Sequence, residues 1–484
     1  MNRRNWFYGL AGAGIAVFFM ACASPPPVEH ALPPELPLAV DDSLPPQEEP
    51  ALSPSDQLMA SILACLRAGD FDGALALFDE FPEEEAHTAG NRLLKTSVYI
   101  SAGRIVEGRE LVGNVIGDEP ENADAFYTLF RVETGAGNRQ AARVALDKAL
   151  KLNGNHILAL NSLGGLYAQN DSWQNAITQF DKVLSLQPGN LTALVGKASV
   201  FRYQRQRDEA LALANQAVEL YPDNTQGYTL RAQLFRDAGK SSNALADLVS
   251  AEKLDPSDYW VSYDKGRALL TMNRPDEALE AFERAIALDN TEFAAYVYSA
   301  GLLADKGNFV TAEQRYNELA RLKPDYFYAY EGIGMLKMKN KEYAAARDAF
   351  LAAYAKAPSE TSYAVLAALN ALRVQKSFEV KPLLESAMRT VKRDTLDYAV
   401  LRMLNDFSGD GNVARLIDAE KDTLLKGRMT FYLAEFYDIS GKPALANAYY
   451  EKCREANRRD TVEWRLNQWK MEERSLLVQA SGQE

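Results

Sequence analysis

The sequence predicts an all-α fold, a solenoid of about twelve helix-turn-helix repeats, and three observations carry that prediction. A small residue recurs at Ala74, Gly108, Ala142, Ala176, Ala210, Ala244, Ala278, Ala312 and Ala346, nine positions each 34 residues apart with no insertion. Seven residues beyond each stands Phe81, Val115, Ala149, Val183, Ala217, Ala251, Ala285, Leu319 or Ala353, and twelve beyond stands proline in six of the nine, at Pro120, Pro188, Pro222, Pro256, Pro324 and Pro358. Within Asn155–Asn190, Leu163, Gly164 and Tyr167 recur at helical intervals, and Gln169-Asn170-Asp171 makes a polar turn. Ala176, Phe180 and Val183 then form a second apolar stripe that Pro188 ends. That pattern is a helix, a turn and a helix.

Taken in chain order, the first stretch is for targeting. Arg3 and Arg4 form a positive n-region, and Trp6–Met20 is an apolar segment too short and too Gly-rich for a comfortable membrane span. Ala21-Cys22-Ala23 follows, with Phe19 where an aliphatic is usual. This resembles the bacterial lipoprotein signal, which implies a signal peptide over 1–21 and lipidation of Cys22. Ala23 after the cysteine implies sorting to the outer membrane, on its periplasmic side. The alternative readings are an uncleaved signal anchor and an ordinary secretory signal.

Residues 22–54 then read as the lipidated cysteine and a disordered tether. Half of the chain's 20 prolines lie between Ala23 and Pro54, with Glu29, Glu35, Asp41, Asp42, Glu48 and Glu49 and not one Lys or Arg. In polyproline geometry such a segment reaches roughly 100 Å. It holds a folded domain clear of the lipid.

The nine in-register copies span 55–360, as 55–88, 89–122, 123–156, 157–190, 191–224, 225–258, 259–292, 293–326 and 327–360. From the fourth copy onward the first helix also carries a small residue, at Gly164, Ala198, Ala232, Gly266, Ala300 and Gly334, whereas Ile62 and Thr96 mark the first two copies as atypical. The period and this small–large pattern resemble the tetratricopeptide repeat (TPR), which implies a right-handed superhelical solenoid. Small residues let paired helices approach, and Tyr167, Phe180, Phe235, Phe282, Tyr316 and Phe350 fill the spaces between them. The register weakens over 361–460: Val380 and Pro382 disturb one copy, Phe407–Asn412 makes a Gly-containing turn in a shorter one, and a clear copy returns at Gly427–Asp460. Within 461–484, Thr461–Val478 reads as a capping helix in which Trp464, Leu466 and Trp469 cover the last apolar face.

The apolar fraction of 47% is enough for large cores, and the net charge of −13 argues against a nucleic-acid backbone as main partner. No zinc-spaced His-Glu pair, phosphate-binding loop or nucleophile elbow occurs, so no enzyme, metal or cofactor is expected. Cys65 and Cys453 fall on core-facing positions and read as structural thiols. His87 and His156 sit at inter-repeat turns, where they read as solvated, and Asp410-Gly411-Asn412 reads as an ordinary turn rather than a calcium loop.

Resemblance to the TPR implies a binding groove lined by the second, fifth, ninth and twelfth positions of each first helix. Those positions give Tyr127, Arg131, Asn161, Arg202, Gln233, Arg236, Trp260, Tyr263, Arg267, Tyr328 and Glu331, a mixture of aromatics and arginine that suits a binding surface. For Trp260 and Tyr328 the alternative is packing between repeats, and for Arg202 and Arg236 it is pairing with nearby acids such as Asp237. The Lys and Asn pattern that clamps peptide carboxylates in this family is not reproduced. The expected function is a membrane-anchored scaffold for periplasmic or outer-membrane proteins. Two classes resemble it, adaptors of peptidoglycan hydrolases and pilotins of secretins, and FYLAEFYDISGKPALANAYYEKCREAN before Val462-Glu463-Trp464-Arg465 is similar to the end of the hydrolase adaptors. The alternative is an accessory ligand-binding component of a periplasmic solute-transport system.

Overall fold

A computed structural model describes residues 53–375, 377–455 and 461–481. The expected signal peptide, Cys22 and nearly all of the expected tether lie outside the described residues. Among those described, all regular structure is helical, in two compact units divided between Leu234 and Phe235.

In the first unit, α1 (Pro54–Ala68) pairs with a short α2 (Phe71–Leu77), and α3 (Glu83–Ala86) follows a single 3-10 turn. The first helix starts one residue before the sequence boundary, because Ser53 caps it and Pro54 suits its first turn. Regular pairs then run as α4 (Ala89–Ser101) with α5 (Ile105–Asp118), α6 (Ala123–Gly135) with α7 (Arg139–Leu152), α8 (Ile157–Gln169) with α9 (Trp173–Leu186), and α10 (Leu191–Tyr203) with α11 (Arg207–Leu220). First helices begin at side-chain caps in register with the repeat: Asn122 Oδ1 accepts from Ala125 N at 3.0 Å, and Asn190 Oδ1 from Ala193 N at 3.0 Å.

His156 occupies the equivalent cap and corrects the sequence reading. It is buried, its Nδ1 accepts from Ala159 N at 3.2 Å, and its Nε2 therefore donates to Asp124 at 2.9 Å. That bond holds the Asp124 carboxyl below the usual carboxylate range. His87, by contrast, is not buried.

After α12 (Thr225–Asp237), the second unit continues with α13 (Ser241–Leu254). It then pairs α14 (Tyr259–Thr271) with α15 (Pro275–Leu288), α16 (Ala294–Asp305) with α17 (Phe309–Leu322), and α18 (Phe327–Lys339) with α19 (Tyr343–Lys356). The irregular copies persist as α20 (Thr361–Arg373) with α21 (Ser377–Met388) and α22 (Leu396–Asp406) with α23 (Asp410–Ala419). Pro382 is accommodated inside α21, and Asp410–Asn412 is the first turn of α23, behind Gly409. The last pair is α24 (Thr423–Ile439) with α25 (Pro443–Glu455), and α26 (Val462–Ser481) ends the unit.

In both units the core follows the 34-residue ruler. Ala74, Ala142, Ala176, Ala210, Ala244, Ala278, Ala312 and Ala346 are all buried, as is every residue seven positions beyond the ruler from Phe81 to Ala353. Cys453 is buried, Cys65 is half-buried against the first core, and both are free.

Candidate functional site

Each unit places its share of the expected groove residues on first helices, and their neighbours separate them into two kinds. In the first unit they mostly bond one repeat to the next. Arg131 Nη1 donates to Ser97 Oγ at 2.8 Å, and burial pushes the arginine pKa down. Tyr127 is buried against the rings of Phe130 and His156, with its hydroxyl 3.3 Å from Ser162 Oγ, and burial pushes its phenol up. Asn161 Nδ2 donates to the cap residue Asn190 at 3.1 Å, and Arg202 Nη1 donates to Gln233 Oε1 at 3.0 Å. These side chains pin the stack as much as they present a surface.

In the second unit, Arg236 forms an ion pair with Asp264, whose side chain is almost fully covered, and Arg267 Nη1 adds a second contact at 3.6 Å. The partner of Arg236 is thus Asp264, one repeat ahead. A buried carboxylate between two guanidiniums is compensated, so it fixes both arginines rather than leaving them to a ligand. Tyr263 is buried, stacked on Tyr259 at 6.1 Å, with the Arg267 guanidinium 5.7 Å from its ring centre. Burial pushes both phenols well above their ordinary value.

Trp260 and Tyr328 differ. Trp260 is 40% exposed although its ring stands edge-on to Tyr259 and Tyr263, and Tyr328 is 48% exposed beside Phe327 and Tyr326. Of the residues the sequence selected in this unit, these two offer aromatic surface to a partner.

Glu331 is covered from within. Its Oε2 accepts from Tyr363 Oη at 2.5 Å, and burial pushes its carboxyl up to about 7 against the opposing pull of that bond. Glu463 raises it further, while Arg465 and Arg428 lower it. Two of these neighbours stand on α26. Asp264 was within reach of sequence reasoning, since it lies one turn before Arg267 on the same helix. Glu463 and Arg465 were not, because no repeat period places them near residue 331.

The polar network next to the last pair is structural. Arg373 Nη2 donates to Glu435 Oε2 at 2.6 Å and Asp438 Oδ2 at 2.8 Å, and Tyr450 Oη donates to Glu435 Oε1 at 2.5 Å. No group of three or more His, Cys, Asp or Glu side chains among the described residues is placed to hold a metal ion, and no described helix is long and apolar enough to cross a membrane.

A family model described as tetratricopeptide repeat matches residues 127–190, 195–259, 263–327 and 302–361. No curated protein matches the chain. Among solved structures, PilF of Pseudomonas aeruginosa is 21% identical, aligned over 44% of this chain and 97% of its own, with a TM-score of 0.40. A tetratricopeptide repeat protein of Parabacteroides merdae is 19% identical over 51% and 98%, with a TM-score of 0.40. PilW, a type IV pilus biogenesis factor, is 14% identical over 40% and 91%, with a TM-score of 0.37. Repeats of this kind are typically non-catalytic and mediate protein–protein interactions. The four matched segments, on the packed helix pairs described above, are tetratricopeptide repeats.

Proposed function

We propose that this chain is a lipid-anchored scaffold of the bacterial outer membrane, facing the periplasm, that binds protein partners on its first-helix face to assemble or regulate a cell-envelope complex. The observation that carries the reading is the exposure of Trp260 and Tyr328 on helices whose other large aromatics are largely covered. A rigid ring with a polar edge buries much area at small entropic cost when a partner docks. The anchor rests on Arg3, Arg4, Trp6–Met20 and Cys22, and the choice of membrane on Ala23. The acidic, proline-rich stretch after Cys22 supplies reach. Peptidoglycan hydrolases and secretin subunits are the partner classes.

The test is a photo-crosslinking amino acid at position 328 in the native envelope, with and without Trp260→Ala, alongside palmitate labelling of wild type and Cys22→Ser. The expected outcome is a captured hydrolase or secretin subunit, reduced about tenfold by Trp260→Ala, and palmitate incorporation lost in Cys22→Ser. Capture of solute-binding proteins instead would select the transport-accessory alternative. Capture that Trp260→Ala leaves unchanged would sink the proposed face.

A further inference from the structure

The helix α26 is strongly charged, yet among residues 462–475 only Glu472 and Ser475 are exposed as whole residues, with the Glu473 side chain 38% exposed. An end cap keeps one polar face in water. This helix has protein on two faces, and each face answers its charges individually. The face of Glu463, Asn467, Lys470 and Arg474 meets the last helix pair. Glu463 accepts from Tyr432 Oη and lies 3.5 Å from Arg428 Nε, Asn467 Nδ2 donates to the Tyr450 carbonyl at 3.0 Å, and Lys470 and Arg474 reach Asp438 at 3.5 and 2.8 Å.

The second face carries Arg465, Trp469 and Glu473, spaced i, i+4, i+8 and so aligned on one side of the helix. It reaches back to much earlier repeats. Arg465 Nη2 lies 2.8 Å from Asp305 Oδ1 at the end of α16. Trp469 stands edge-on to Phe309 at 5.4 Å, the ring that Lys339 covers from 3.9 Å. Glu473 pairs with Lys341 in the turn after α18. A basic group, an aromatic and an acid therefore meet an acid, an aromatic and a base in order. A mere cover needs apolar area, whereas ordered complementary charge is how a surface selects one ligand and its register.

We infer that Asp305, Phe309 and Lys341 form a docking surface for an amphipathic helix with a basic residue, an aromatic and an acid at i, i+4 and i+8, and that residues 462–481 are its resident occupant. A partner helix of that pattern displaces the Arg465–Trp469–Glu473 face. This deepens the scaffold reading and rests on it only for the partner's existence. Because the resident helix is tethered, its effective concentration is in the millimolar range, so a partner binds the intact chain weakly and binds firmly once that face is released.

The test uses the chain from residue 53 to 484 and, as probe, a fluorescent peptide of residues 461–481. In the variant Arg465→Ala, Trp469→Ala, Lys470→Ala, Glu473→Ala, Arg474→Ala, which loosens the helix on both faces, the surface is vacated, and the peptide binds it about tenfold or more tighter than it binds wild type. Adding Lys341→Glu removes the gain. Equal binding to wild type and variant, with the helix content of the variant intact, overturns the inference. If the variant does not fold, hydrogen exchange of the 465–475 amides in otherwise wild-type chains decides. Protection falls in Lys341→Glu and returns in Lys341→Glu with Glu473→Lys, and unchanged protection overturns the inference. Both assays use purified chain. Failure of the envelope crosslinks with success here removes the scaffold reading alone, and the reverse removes the docking surface alone.

Discussion

At the scale of single residues, the small position of the first helix is glycine in the three copies where it faces a phenylalanine, whereas Ala300 stands opposite Tyr316 in register. A Cβ on Gly164 would lie 2.8 Å from Phe180, one on Gly266 2.7 Å from Phe282, and one on Gly334 2.8 Å from Phe350. Sixteen residues after Ala198 and Ala232 stand Ala214 and Leu248, and there alanine is accommodated. Glycine accompanies phenylalanine because close helix approach leaves room for one of the two carbons. Gly266→Ala gains about 1 kcal/mol in helix propensity but overpacks a fully buried ring at about 1–3 kcal/mol. The expected result is a net loss of stability in urea denaturation, largely recovered in Gly266→Ala with Phe282→Leu. Additive behaviour of the two changes would show that the ring is not the constraint. The small position was legible from the period, but the choice between Gly and Ala at it was not, because that choice depends on a neighbour across the helix pair.

At the scale of elements, the turn between paired helices is the most regular feature of the backbone. It uses a left-handed residue at Gly103, Gly137, Asp171, Arg205, Gly239, Asn273, Gly307 and Lys341, one per 34-residue period. Only glycine adopts that conformation without a Cβ penalty, which is about 1–2 kcal/mol for other residues. Arg205, exposed and at φ 63°, therefore carries backbone strain that a glycine would not. Arg205→Gly is expected to stabilise the chain by about 0.5–1 kcal/mol after the entropic cost of glycine, read as a raised thermal midpoint. A lowered midpoint would mean that the arginine makes a compensating interaction. The helices themselves were legible because small and apolar positions recur in register over nine copies, with proline after six of them. The first repeat departs where Pro82 interrupts its second helix, leaving α2 and α3 as fragments around a 3-10 turn. The disturbed copies after residue 360 still form pairs, since Val380, Leu384 and Ala387 keep α21 buried despite Pro382.

At the scale of the whole chain, periodic sequence explains stacking and is silent about contacts that skip the period. The position of α26 is the clearest case: its ion pairs to Asp305 and Lys341 are chosen by tertiary geometry, so its sequence read only as a cap. The same geometry sets the titration of Glu331, which α20 and α26 enclose beside Tyr363, Glu463 and Arg465. In the unfolded chain this carboxyl titrates near 4.5, and in the folded chain near 7, so between those values the folded state holds more protons. Its contribution to stability is therefore fully present below about pH 4.5 and is lost as pH rises to about 7. Glu331→Gln keeps an acceptor for Tyr363 and removes the ionisation. The stability of the variant relative to wild type should rise between about pH 5 and pH 8, measured as paired urea midpoints, because ionising a buried carboxyl destabilises only the wild type. A difference that stays flat across that range would place Glu331 in contact with water and remove the enclosure that α26 is held to provide.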